Sequence, residues 1–216
     1  MKLYHHPIST YSQKAVLALH EKGLAFESEH VSLMSPEGRA AYEKLYPIGK
    51  MPLLVLADGH MIPESTIIIE YLEGHYPNQG TKLIPEGIDA ARQVRFMDRM
   101  ADLYLDNPMG ILVFNRLGLR KSDDDTLATA RKHLRISFEQ MNQRLEKQDW
   151  LCGNQFTMAD CAAIPPLFYC QQVAPFSDYP HVQRYFERAR QRPSYARVSA
   201  EFLPMWQAMN EGKSSD

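Results

Sequence analysis

Along residues 1–80 the apolar positions change period repeatedly, from strand-like to helix-like and back. Lys2, Leu3 and Tyr4 begin a short strand that Pro7 stops. Over 12–23 Ala15, Val16 and Leu19 share one helical face, and Gly23 stands where a helix ends in the left-handed region. Residues 26–31 alternate, which predicts a strand. Ser35-Pro36-Glu37 reads as a cap followed by a first-turn proline, opening another helix. Leu53 to Leu56 is a short apolar run, and Asp58-Gly59 is a hairpin turn before His60-Met61-Ile62. A helix over 64–76 follows, ended by Pro77. The predicted order is β-α-β-α-β-β-α.

Beyond Gly80 only the helical period remains. Ile88, Ala91, Val94, Met97, Ala101 and Tyr104 step by three or four, one stripe of a long helix that Pro108 should kink or break. Asp123-Asp124-Asp125 opens the next helix, where acidic side chains suit the helix dipole. Its spacing runs through Leu127, Arg131, Leu134, Phe138, Met141 and Leu145. Residues 159–170 are apolar almost all round, which marks a buried central helix, and Val182, Tyr185, Phe186 and Ala189 give one more. The expected architecture is an α/β domain over 1–80 followed by an all-α domain over 86–216.

Composition narrows the functional classes. An apolar fraction of 44% supports a packed core, and a net charge of −2 disfavours a nucleic-acid or anionic-membrane partner. The three cysteines, Cys152, Cys161 and Cys170, are odd in number and lack a CxxC pair, so neither a disulfide framework nor a structural zinc site is expected. Residues 1–7 carry no signal-like apolar region and no run is long enough to span a bilayer. The expectation is a soluble cytoplasmic protein without a metal.

Three segments of the α/β part could carry chemistry. Ser9-Thr10-Tyr11-Ser12 lies between a strand and a helix, where free N–H groups and the helix dipole stabilise an anion or a thiolate. The same residues also serve as a plain N-cap. A dithiol redox protein of this element order carries CxxC there; hydroxyls in both places exclude dithiol exchange. Pro52, directly before an apolar strand, is a candidate cis residue that would turn the Met51 backbone groups toward an extended peptide. It also reads as an ordinary loop-to-strand proline. Glu64-Ser65 at a helix start could take the ammonium and carboxylate of an amino-acid end, or simply cap the helix. His5-His6 could be a base or a metal pair, but adjacent strand residues face opposite sides.

Together these segments resemble the glutathione S-transferase family. The helix from Ser12 to Gly23 is similar to that family's first helix, Gly49-Lys50-Met51-Pro52 to its cis-proline turn, and Glu64-Ser65 with Tyr71-Leu72 to its γ-glutamyl site. Phe156-Thr157-Met158-Ala159-Asp160 resembles its capping box. The resemblance covers residues 1–205 and implies a thioredoxin-like N-terminal domain, an all-helical C-terminal domain and glutathione as co-substrate. It implies that Ser9 activates the thiol, as in the theta and zeta classes, with Thr10 and Ser12 as alternatives. Met51 would pair with the cysteinyl backbone next to Pro52, Glu64 and Ser65 would bind the γ-glutamyl end, and Lys50 would approach the glycine carboxylate. Tyr104, Asn107, Met109 and Phe114 are the candidates for a pocket that receives a small hydrophobic electrophile. A homodimer is expected. Tyr11-Ser12-Gln13 and Glu64-Ser65 also resemble stringent starvation protein A, which implies the alternative of a non-catalytic regulator that binds RNA polymerase.

Overall fold

The computed structural model describes residues 1–32 and 35–211. Its first elements are β1 (Lys2–His5), α1 (Thr10–Glu21), β2 (Glu27–His30), α2 (Pro36–Leu45), β3 (Leu53–Val55), β4 (Met61–Pro63) and α3 (Ser65–His75), in the predicted order. They build a thioredoxin-like domain around a mixed sheet of order β2-β1-β3-β4. β1 runs parallel to β2 and antiparallel to β3, and β3 pairs antiparallel with β4. The alternation over 26–31 does not produce a buried face: all four residues of β2 are exposed, because this strand is a sheet edge, and Val31 just beyond it is buried.

The core of this unit comes from α1, the sheet and α3. Leu3, Leu53 and Leu54 are fully buried with Ala15, Ala18, Leu19, Ile68, Ile69 and Leu72. Lys14 of α1 and Lys22, the residue that caps its end, reach α3 in matching order. Lys14 Nζ donates to Thr66 Oγ1 (2.8 Å) near the start of α3, and Lys22 Nζ donates to Glu73 Oε1 (2.8 Å) near its end. The two helices therefore run side by side in the same direction. Gly23 adopts φ +65 after α1, and Gly80 (φ +57) ends the unit where a Cβ would fall 2.2 Å from the Glu21 carbonyl oxygen.

α9 (Pro193–Glu211) was not part of the predicted pattern. Tyr195, Val198, Phe202 and Trp206 form its buried stripe at helical spacing, interrupted in the sequence by Pro204. By contact it groups with Met1–Gly80 rather than with the helices before it, and the Ser194 hydroxyl donates to Glu21 of α1. This grouping differs from the division at 86–216 read from the sequence.

The second unit, Thr81–Arg192, is all-helical: α4 (Ile88–Ala101), α5 (Asn107–Arg116), α6 (Asp124–Leu145), α7 (Met158–Val173) and α8 (Pro180–Arg190). The expected break at Pro108 takes an unusual form. A π-helical turn, Asp102–Asp106, joins α4 to α5, and Pro108 falls in the first turn of α5, where its missing N–H matters least. Of the predicted stripe, Ala91, Val94, Met97 and Ala101 are buried, whereas Ile88 is 86% exposed because it begins the helix. α6 starts at the Asp123 cap, whose carboxylate accepts from Thr126 N–H (2.7 Å). α7 is buried over most of its length despite Pro165 and Pro166.

The predicted capping box opens α7. Asp160 is fully buried and its carboxylate accepts from the Thr157 N–H (2.8 Å) and hydroxyl (3.0 Å), the Leu151 N–H (3.0 Å) and the Tyr185 hydroxyl (3.0 Å). One side chain thus joins the start of α7, the preceding loop and α8. Among the described residues no helix is long and apolar enough to cross a membrane.

Candidate functional site

Strand register brings the three chemistry-bearing segments to one end of the sheet. Tyr4 of β1 lies opposite Leu53 of β3, and Leu53 lies opposite Pro63 of β4. The end of β1, the start of β3 and the end of β4 are therefore neighbours. The residues just outside them are the loop to Ser9, the Met51-Pro52 turn and Glu64-Ser65. α1 and α3 both begin at this end, so two helix N-termini supply positive potential there.

Ser9 is the N-cap of α1, half-buried, and its Oγ accepts from the Ser12 N–H (3.3 Å). An oxygen that accepts in a cap still has its own proton to donate. Ser12, by contrast, is fully buried and its Oγ takes the His6 N–H (3.3 Å). Thr10 is half-buried in the first turn of α1. The Gln13 amide donates to the Pro7 carbonyl (2.7 Å), which ties the loop back to its helix.

The Met51–Pro52 peptide is cis. Lys50 is exposed, and its carbonyl accepts from the Tyr42 hydroxyl (2.8 Å), so the turn is held by α2. Ser65 is the first residue of α3 and not its cap; the N-cap is Glu64, and α3 has no side-chain cap. Glu64 is exposed and has φ 71, the one described non-glycine residue at positive φ. That conformation costs on the order of 1–3 kcal/mol, and strain of this kind clusters at active sites, ligand clamps and switch regions. Lys14, absent from the sequence reading, places a buried ammonium on Thr66 in the first turn of the same helix.

Both halves of the chain match family models. Residues 3–80 match "Glutathione S-transferase, N-terminal domain" and residues 104–193 match "Glutathione S-transferase, C-terminal domain". The chain is 30% identical over 211 residues to "Glutathione S-transferase F10" of Arabidopsis thaliana, a match that covers 92% of this chain and 97% of the relative. The chain belongs to the glutathione S-transferase family. It is also 28% identical to "Maleylacetoacetate isomerase" of Pseudomonas aeruginosa, over 90% of this chain and 93% of that protein. Its fold matches the crystal structure of glutathione transferase F7 from Populus trichocarpa with a TM-score of 0.81 at 24% identity, covering 93% and 98% of the two chains.

The helical unit separates the four pocket candidates. Asn107 is exposed and lines a groove of about 360 Å³ with Leu103, Pro108, Ile111, Thr129 and His133. Tyr104 is 41% exposed and meets the His133 ring edge to face at 5.6 Å. Phe114 is also half-exposed. Met109 departs from the expectation: it is buried in the helical core, on a different face of α5 from Asn107.

His5, at the end of β1, and His6, just beyond it, are not poised bases. His5 is buried, and desolvation pushes it down to about 4; His6 is lowered by the same cause. Cys152 is also unreactive in character, since burial pushes its thiol up to about 12. Cys161 and Cys170 are buried.

Proposed function

We propose that this chain binds glutathione at the shared end of β1, β3 and β4 and activates its thiol for attack on a small hydrophobic electrophile. The observation that carries the reading is the uncapped N-terminus of α3, with Glu64 held at positive φ beside it. Its N–H groups suit the γ-glutamyl carboxylate, and exposed Glu64 suits the ammonium. Met51 would pair with the cysteinyl backbone and Lys50 would approach the glycine carboxylate. Ser9 would donate its O–H to sulfur. A free thiol has a pKa of about 8.5, and a hydrogen bond to a charged acceptor contributes about 1.5–3 kcal/mol, enough to raise the thiolate fraction roughly tenfold or more. Tyr104, Asn107 and Phe114 are the proposed electrophile contacts. Isomerisation, the activity named for one relative, fits the same thiolate chemistry.

Calorimetry with glutathione is the first test; no heat and no thermal shift at millimolar ligand would defeat the reading. Ser9→Ala is expected to lower the bound thiolate, read by ultraviolet absorbance, and to reduce kcat tenfold or more with little change in the KM for glutathione. The lost cap should also lower stability by about 1 kcal/mol, while Ser9→Thr retains both properties. An unchanged thiolate fraction in Ser9→Ala would remove Ser9 from the reading.

Glu64→Gly separates strain from function. Relief of about 1–3 kcal/mol of backbone strain outweighs roughly 0.5–1 kcal/mol of added chain entropy. The ligand-free variant is expected to melt no lower than the wild type, yet to bind glutathione at least tenfold more weakly. A lower melting point with normal affinity would contradict this. Homodimerisation is part of the proposal, and a monomer mass in light scattering at micromolar protein would remove it.

A further inference from the structure

The parallel register of β1 and β2 sets His5 directly beside His30. The two rings meet edge to face, with centroids 4.9 Å apart. α9 brings a carboxylate to the same place, with Glu201 Oε2 3.8 Å from His30 Nε2. One ring nitrogen from each histidine and one Glu201 oxygen all lie within 4.8 Å of one another. Around a tetrahedral zinc, ligands at about 2.0–2.1 Å are about 3.3 Å apart, so closure needs a movement of roughly 1.5 Å. His30 and Glu201 have side chains 53% and 39% exposed, free to make that movement.

His5 supplies the second observation. It is 1% exposed, and its Nδ1 has no hydrogen-bond partner. Its Nε2 lies 2.7 Å from Ser28 Oγ on β2. With the Nε2–H donating to Ser28, the Nδ1 lone pair is left buried and unused. A metal-bound histidine normally has this arrangement: one nitrogen ligates while the other is held by an outer partner. An orphaned acceptor in a dry site costs about 1–3 kcal/mol, which a cation would recover.

We infer that His5, His30 and Glu201 form a binding site for a divalent late first-row metal ion, zinc being the expected occupant. Two imidazoles and a carboxylate suit this class over calcium or magnesium, which take all-oxygen sets. The fourth position is left to water. The site ties the exposed edge strand β2 to α9, with His5 entering it from the end of β1; it shares no residue with the proposed glutathione contacts Ser9, Lys50, Met51, Glu64 and Ser65. The sequence disfavoured the adjacent pair His5-His6 as joint ligands and led to no metal being expected; the pair that meets is the cross-strand one, which no spacing along the chain reveals.

The test uses the full untagged chain without glutathione, which itself binds metals. Cobalt(II) titration is expected to give one saturable equivalent with an intense tetrahedral visible band that zinc displaces. His30→Ala should abolish the band and Glu201→Gln should weaken binding at least tenfold, with His6→Ala unchanged. Zinc should raise the melting temperature of the wild type and not that of His30→Ala. His5→Ala removes a core ring, so the decision rests on the two exposed ligands. No saturable band, a band indifferent to both exposed-ligand variants, or one lost in His6→Ala would overturn the inference.

Discussion

Asp160→Ala is expected to destabilise the helical unit by about 3–5 kcal/mol, measured by urea denaturation. The carboxylate is the shared acceptor for two backbone N–H groups and two hydroxyls, and all of them lie in the interior. Truncation removes the acceptor and leaves the Leu151 N–H, the Thr157 N–H and the Tyr185 hydroxyl buried without it, a larger loss than a surface cap would incur. Asp160→Asn should cost less, because one amide oxygen still accepts while the amide nitrogen faces a donor. Burial also pushes the Asp160 carboxyl from 3.8 up to about 6, against the pull of its four donors. Its folded value is above its unfolded one, so the folded state holds more protons between pH 4 and 6. The contribution of this group to stability is therefore present below pH 4, declines as the pH rises to 6, and is flat above that, a change on the order of 3 kcal/mol. Urea unfolding of wild type and Asp160→Asn across this window isolates the slope. A wild-type minus Asn difference that does not vary with pH would disprove the assignment.

Lys22→Met is expected to cost about 3–5 kcal/mol in the first unit. Lys22 is 1% exposed and its ammonium meets Glu73, itself only 9% exposed. The ion pair has little water to fall back on, so loss of the ammonium leaves a carboxylate in a dry seam between α1 and α3. The pair as a whole contributes far less, since desolvation of both ions offsets most of their attraction. Lys22→Met combined with Glu73→Leu should recover most of the loss, to within about 1–2 kcal/mol of wild type. A double variant as unstable as the single one would show that the charges themselves, rather than their imbalance, hold the helices together.

Much of the element order was legible because its signals are local. Ser35 followed by Pro36, Asp123 before an acidic first turn, and Gly23 after a helical stripe each act within a few residues. The same holds for the Thr157–Asp160 box. What escaped depends on residues far apart in sequence. Lys14 reads as one more position of an amphipathic helix until it is seen to reach Thr66, 52 residues on. The positive φ of Glu64 arises at the junction of β4 and α3, and its residue type gives no warning, because glycine is the usual occupant of that region. Met109 and Asn107 are two residues apart, and spacing alone did not tell which faces the core. The stripe of α9 was present in the sequence, although Pro204 obscured it.

The placement of α9 also bears on the order in which the protein can be completed. The first unit is discontinuous in sequence, with Met1–Gly80 at one end and the helix from Pro193 at the other. On the ribosome, the strands and α1–α3 are made first, but α1 must wait for α9 while roughly a hundred further residues are added, on the order of ten seconds at ordinary elongation rates. During that interval the surface that α9 will cover is open to chaperones and to other nascent chains. The helical unit, contiguous from Thr81 to Arg192, has no such dependence and can close before the unit that precedes it is finished.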